Sequence, residues 1–233
     1  MRKYCILALT GILLLFSNGI LFAADYYYTP SPGDLGDLDH TLAYSWGINL
    51  ANKDIYNHTL NLNTESIAGA SLFFSSIYNW DNNYNILQVS LLDDSVTLGV
   101  KSFPDNQNPT NYFAGKYDSK LLFSWENMST KSRNVAIGIN TNTAYTGQLK
   151  DGVADGATLY MPANSLNNLI AYASAGIFGL GFDPDCHYYN CGIKLKIWTT
   201  DKPPSTPVPE PGTLMLLGMG LFAVASRMRK KLI

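Results

Sequence analysis

The residues best suited to chemistry crowd into one stretch, Phe178-Gly179-Leu180-Gly181-Phe182-Asp183-Pro184-Asp185-Cys186-His187-Tyr188-Tyr189-Asn190-Cys191. Asp183 and Asp185 stand two apart around Pro184. Carboxylate oxygens on a rigid loop suit a hard cation such as calcium. Thr41–Leu50 and Ile177–Phe182 both read as strands. If they pair antiparallel, the start of the first meets the end of the second. Asp37, Asp39 and His40 would then join Asp183 and Asp185 in one acidic cluster. Asp39, Asp183 and Asp185 are the calcium candidates on that reading; the alternative is that these residues cap turns. Cys186 and Cys191 flank what reads as a hairpin loop. In an exported chain such an even pair predicts a disulfide, worth about 2 kcal/mol in the chain-entropy picture. His40, Cys186 and His187 lack the spacing of a zinc site.

Other chemistry is harder to place. Between residues 25 and 207 the only glutamates are Glu65 and Glu126, and both read as exposed residues on or beside strands. A glycosidase needs two positioned carboxylates, and nothing marks a pair. There is no Gly-x-Ser-x-Gly, no His-Glu-x-x-His and no phosphate loop. His40, His58 and His187 have no nucleophile partner in sequence. No catalytic residue is predicted. Sugar rings stack on aromatic faces, and Tyr26, Tyr27, Tyr28, Trp80, Tyr84, Tyr112, Tyr188 and Tyr189 fall in loops or at strand ends.

The elements that must position these groups are short strands. Leu42, Tyr44, Trp46, Ile48 and Leu50 alternate with smaller or polar residues, a period of two. Ile67–Tyr78 is a second strand. Ile86–Leu92 and the alternating Val96, Leu98 and Val100 flank Asp93-Asp94-Ser95 and predict a hairpin. Pro104 and Pro109 make Lys101–Asn111 a loop, placed with the 140–156 loop at the ends of the domain. Leu121, Phe123 and Trp125 alternate, as do Val135, Ile137 and Ile139, and Ile193, Leu195 and Ile197. Ala157–Met161 is a further strand candidate. Asn164–Ala173 fits a short helix or a strand equally. Tyr26-Tyr27-Tyr28 opens an edge strand or forms an exposed patch. Turn signals about every ten residues predict an all-β, antiparallel two-sheet sandwich of jelly-roll type over 25–200.

Residues 25–207 carry 10 Lys and Arg against 17 Asp and Glu, a net charge of −7. An acidic body of this kind argues against nucleic acid, whose binding is led by Lys and Arg on phosphate.

Both ends have their own character. Arg2 and Lys3 precede an apolar run, Cys5–Phe16, and small residues follow at Ala23 and Ala24. This predicts a signal peptide over 1–24; the alternative is an uncleaved anchor. Residues 201–207 hold three prolines and read as a linker. Then come Pro209-Glu210-Pro211, the apolar run Leu214–Ala225, and the cluster Arg227, Arg229, Lys230 and Lys231. Leu214–Ala225 spans only about 18 Å as a helix, against about 30 Å of hydrocarbon. With the membrane segment widened to 213–226 it is a weak anchor, whose basic flank stays cytoplasmic.

The order of Pro-Glu-Pro, apolar helix and basic cluster over 208–233 resembles the PEP-CTERM sorting signal of Gram-negative bacteria. The resemblance implies recognition of Pro209, Glu210 and Pro211 by an exosortase. It also implies a transient stay in the inner membrane, and delivery to the cell surface or an extracellular polysaccharide or biofilm matrix. The expected role is a non-catalytic surface or matrix protein that associates with polysaccharide. Alternatives are a secreted polysaccharide-active hydrolase and a purely structural surface protein.

Overall fold

The computed structural model describes residues 24–106, 108–126, 128–139, 164–202 and 218–219. The expected signal helix (Ala24 apart), the strand at Ala157–Met161, residues 203–207 of the linker and the sorting segment 208–233 (Gly218 and Met219 apart) lie outside the described residues. Among the described residues no helix is long and apolar enough to cross a membrane. Ala23–Thr200 forms one compact unit.

Its elements are β1 (Asp25–Tyr28), β2 (Asp37–Leu38), β3 (Leu42–Asn49), β4 (Glu65–Asn79), β5 (Ile86–Leu92), β6 (Gly99–Pro104), β7 (Lys120–Glu126), β8 (Arg133–Ile139), α1 (Ser165–Ala173), β9 (Ile177–Pro184), β10 (Tyr188–Tyr189) and β11 (Ile193–Asp201). They form two antiparallel sheets. One runs β1-β11-β4-β10-β2, with β8 also on β4; the other runs β6-β3-β9-β5-β7. The predicted all-β sandwich is what forms.

Period-two patterning builds the core. Trp46, Leu72, Phe74, Val89, Phe123, Ile137, Phe182 and Leu195 are all buried in one cluster. Phe74 of β4 meets Phe123 at 6.4 Å and Phe182 at 6.3 Å, both edge-on. Each such side chain contributes roughly 1.5–3 kcal/mol by leaving water. Helical spacing wins over strand for Ser165–Ala173, where Leu169 and Ala173, one turn apart, are both buried.

Three sequence expectations fail here. Ile86–Leu92 makes no hairpin with the chain that follows, because both its edges are taken, by β7 and by β9. The chain instead crosses Gly47, where a Cβ would sit 2.2 Å from the Thr97 carbonyl oxygen, and lays down β6 against the far edge of β3. So Gly99–Pro104 is strand, not loop. Edge position is what tolerates Pro104, which has no N–H to give a neighbour. In β7 the register slips between Val89 and Ser90 of β5, so Leu122 is buried while Leu121 is 37 % exposed. One extra residue at a bulge flips the face of its neighbours.

Cys186 and Cys191 do not flank a hairpin either. β9 and β11 belong to different sheets, and residues 185–192 cross between them carrying β10. The expected disulfide is not formed: both thiols are free. Glu65 is no idle surface residue. It accepts from the Tyr26 hydroxyl at 2.7 Å, the Thr199 hydroxyl at 2.8 Å and the Asn61 N–H at 2.9 Å, tying β1, β11 and β4 together.

The segment between β6 and β7 folds back over the outer face of the five-stranded sheet. Phe113 is buried there with Ala43, Leu92 and Val96. Its ring lies where a Cβ on Gly181 would be 2.6 Å away, so only glycine allows the approach.

Candidate functional site

The short strand β10 bridges β2 and β4. Tyr188 pairs with Leu38 and Asn79, and Tyr189 pairs with Asp37 and Tyr78. Side chains alternate between faces along each strand. Leu38, Tyr188 and Asn79 accordingly form a buried row. The Tyr188 hydroxyl donates to Asn85 Oδ1 at 3.0 Å, and Asn85 is held by the Met128 backbone through bonds of 2.9 and 3.1 Å. This network fixes β10 from beneath.

The outward face carries two rows. One is Asp37, Tyr189 and Tyr78. The register extended by one residue supplies the other, Asp39, His187 and Trp80, and the Trp80 N–H donates to the His187 carbonyl at 3.0 Å. The rings are contiguous. Tyr78 and Tyr189 are 5.6 Å apart, His187 and Tyr189 6.0 Å, Trp80 and His187 6.2 Å, and His40 and His187 4.6 Å. Trp80 is 62 % exposed.

Carboxylates bracket His187. Its Nε2 lies 3.2 Å from Asp39 Oδ1 and its Nδ1 lies 3.6 Å from Asp37 Oδ1. His40 Nδ1 is 3.7 Å from the same Asp39 oxygen. Partial burial opposes charge on Asp39. The Thr41 N–H and hydroxyl, each 2.8 Å away, and the two imidazoles outweigh it, so its pKa lies below the usual carboxylate value. One ligand atom each from Asp39, His40 and His187 falls within 4.8 Å of the others, the single such group among the described residues. Two nitrogens and one oxygen could hold a transition metal with positions left open.

The expected acidic cluster therefore divides. β3 and β9 do pair antiparallel, Tyr44 opposite Phe182. Yet Asp39 groups with the imidazoles, while Asp183 and Asp185 lie under the segment that follows β6. Asp183 Oδ2 accepts from the Tyr112 N–H at 2.6 Å, and Asp185 accepts from the Ile86 N–H. Burial pushes the Asp183 carboxyl up to about 7, against the Tyr112 bond and with Asp105 adding to the rise. Cys186 Sγ sits 3.7 Å from Asp81 Oδ1; burial and that carboxylate raise its pKa.

Of the aromatic candidates, Trp80 and Tyr84 are well exposed, and Tyr27, Tyr112 and Tyr189 are half-buried. Tyr26, Tyr28 and Tyr188 belong to the core. Tyr78 escaped sequence reasoning, as did the pairing of the His40 and His187 rings. Tyr78 ends a long strand as its outward residue, and the alternation past Ile77 was the available signal. A broader depression of about 450 Å³ lies elsewhere, lined by residues that include Tyr27, Asn52, Asp54, Ile55 and Leu98. Its Asp54 is spent on the N–H groups of Tyr27, Tyr56 and His58 at 2.8–3.1 Å, a turn-holding role. The β2–β10–β4 face is the better candidate, because its polar atoms converge.

Residues 207–230 match the family model of the PEP-CTERM protein-sorting motif. The chain thus carries the sorting signal of an exported protein handled by an exosortase-type system. No curated protein matches the chain. Among solved structures, one similar chain holds the N-terminal CBM22-1 and GH10 modules of Clostridium thermocellum endo-1,4-β-D-xylanase 10B, complexed with xylohexaose. Identity is 6 % and the TM-score 0.25, over 80 % of this chain and 30 % of that one. The chain spans about 30 % of that protein's length, and so remote a likeness bears on neither fold nor function.

Proposed function

We propose that this exported chain is a non-catalytic surface or matrix protein whose β domain associates with extracellular polysaccharide through the outward face of β2, β10 and β4. The observation that carries the reading is the double row of Tyr78, Tyr189, His187 and Trp80 edged by Asp37 and Asp39. Aromatic rings present large rigid apolar faces with polar edges, suited to the C–H face of a sugar ring. Carboxylates beside them accept from hydroxyls, and such charge-assisted bonds are the strong ones. A shallow, open platform of this kind suits a chain running past it better than a small molecule enclosed in a pocket.

The absence of a catalytic role is supported by charge state. A glycosidase acid needs a raised pKa and access to the bond it cleaves. Asp39 is shifted the other way. Asp183 is raised but only 5 % exposed, beneath the segment that holds Tyr112. Glu65 has both oxygens engaged.

Affinity electrophoresis of the mature protein through gels containing the producing strain's own polysaccharide tests the reading. Retardation that Trp80→Ala reduces at least tenfold is expected; equal mobility with and without polysaccharide overturns it. The mass of the surface form tests the sorting route. It is expected to lack Arg227–Lys231, and an intact basic tail on that form would contradict processing there.

A further inference from the structure

Asp39, His40 and His187 reach one place from opposite ends of the domain. Asp39 and His40 lie between β2 and β3, and His187 immediately precedes β10, which pairs with β2. His187 Nε2 is 3.2 Å from Asp39 Oδ1, His40 Nδ1 is 3.7 Å from the same oxygen, and the two ring centroids are 4.6 Å apart. One ligand atom from each residue lies within 4.8 Å of the other two. Zinc holds nitrogen and oxygen at about 2.0–2.2 Å, which puts ligand atoms about 3.3 Å apart around a tetrahedron. The two shorter spacings are already near that edge length, and small side-chain rotations close the third.

The three groups are held from behind. The Thr41 N–H and hydroxyl each donate to Asp39 Oδ1 at 2.8 Å and set the carboxylate's orientation. The Asp39 N–H donates to the Tyr44 hydroxyl at 2.9 Å, which ties this turn to β3. The His187 carbonyl accepts from the Trp80 N–H at 3.0 Å. Asp37 Oδ1 stands 3.6 Å from His187 Nδ1, the ring nitrogen turned away from Asp39. That is the side from which an outer carboxylate orients a ligating imidazole. The side chains of Asp39, His40 and His187 are 34 %, 27 % and 22 % exposed, so water reaches whatever position the protein leaves open.

We propose that Asp39, His40 and His187 bind a zinc ion through one carboxylate oxygen and two imidazole nitrogens, with water in the fourth position, and that the ion pins the turn before β3 to β10. Two imidazoles and a carboxylate are a donor set for zinc and its transition-metal neighbours. Calcium and magnesium take oxygen ligands and gain little from imidazole. Three protein ligands with a solvent-filled fourth position is a standard zinc arrangement, so no further side chain is required. Copper(II), which binds such ligands more tightly than zinc, competes for the same site. The ion sits at the edge of the β2–β10–β4 face, and its binding stands whether or not that face takes polysaccharide.

The test uses the full chain, free of any histidine tag, kept reduced and stripped with chelator. Isothermal titration with Zn²⁺ at neutral pH should show one site, and the melting temperature should rise with Zn²⁺ but not with Ca²⁺. Co²⁺ in place of Zn²⁺ should develop the visible absorption of a four-coordinate site. His40→Ala and His187→Ala should each weaken Zn²⁺ at least tenfold and remove that absorption. His58→Ala and Cys191→Ser, which change metal-binding groups outside the cluster, should leave both readouts unchanged. Should His187→Ala fail to fold, His40→Ala, in the turn outside β10, carries the same comparison. No heat and no thermal shift with micromolar Zn²⁺ overturns the proposal. So does Zn²⁺ binding that survives His40→Ala but is lost in His58→Ala or Cys191→Ser.

Discussion

His187 Nε2 lies 3.2 Å from Asp39 Oδ1, although 148 positions separate them in sequence. The contact exists because β10 inserts between β2 and β4, and it welds an acid and a ring into one polar edge beside Trp80. The pKa of Asp39 is lowered, chiefly by Thr41 and the two imidazoles working against partial burial. The charged form is therefore favoured in the folded state. Its contribution is present above the ordinary carboxylate value near 4 and is lost as pH falls through the lower folded value. Asp39→Asn should flatten the acid limb of a melting-temperature profile below about pH 5. The effect should be small, under about 1 kcal/mol, because the pair is partly solvated.

Trp80 and Tyr188 lie on opposite faces of the β10–β4 ladder, one exposed and one buried, so they separate binding from folding. Trp80 is 62 % exposed, and Trp80→Ala should cost no more than about 0.5 kcal/mol in urea unfolding while weakening polysaccharide retention. Tyr188→Phe removes the donor to Asn85 Oδ1. It should cost about 1 kcal/mol or more, with retention reduced only insofar as β10 loosens. Equal retention in Trp80→Ala and wild type would remove the platform from consideration.

Gly181 and Phe113 meet across the outer face. A methyl at Gly181 would lie 2.6 Å from the Phe113 ring. Gly181→Ala should cost roughly 1–3 kcal/mol as an overpacking change, and Phe113→Ala about 3–5 kcal/mol as a cavity. The double variant should cost less than the sum, because the two groups compete for one space. A thermal or urea series on the four proteins measures this.

The free cysteines should differ in reactivity. Cys191 is exposed, while Cys186 is partly buried and its thiol is raised by burial and by Asp81. The thiolate is the nucleophile, so alkylation with iodoacetamide at pH 8 should label Cys191 first by peptide mass. Equal rates would contradict the placement of Cys186.

Strand identity and sandwich class were legible from the chain because period-two alternation is a local property. Each inward side chain in β3, β8 and β11 is buried by the sheet opposite, whatever its partner strands are. The sorting signal was legible for a similar reason: Pro209-Glu210-Pro211, an apolar run and a basic cluster are linear features, and residues 207–230 match the motif. Pairing was not legible. Nothing local says that β5 has both edges occupied, that β6 must take the edge of β3, or that a bulge buries Leu122 in place of Leu121. β10 is two residues long, too short to carry a periodic signal, and is strand only because neighbours on both sides supply its hydrogen bonds. Composition and spacing drew attention to Asp39, Asp183 and Asp185 as one cluster. Tertiary structure divided them, sending Asp39 to His40 and His187 and Asp183 to the Tyr112 N–H. Side-chain meetings across sheets depend on register and on which loop folds over which face, and those are set by the whole packed core at once.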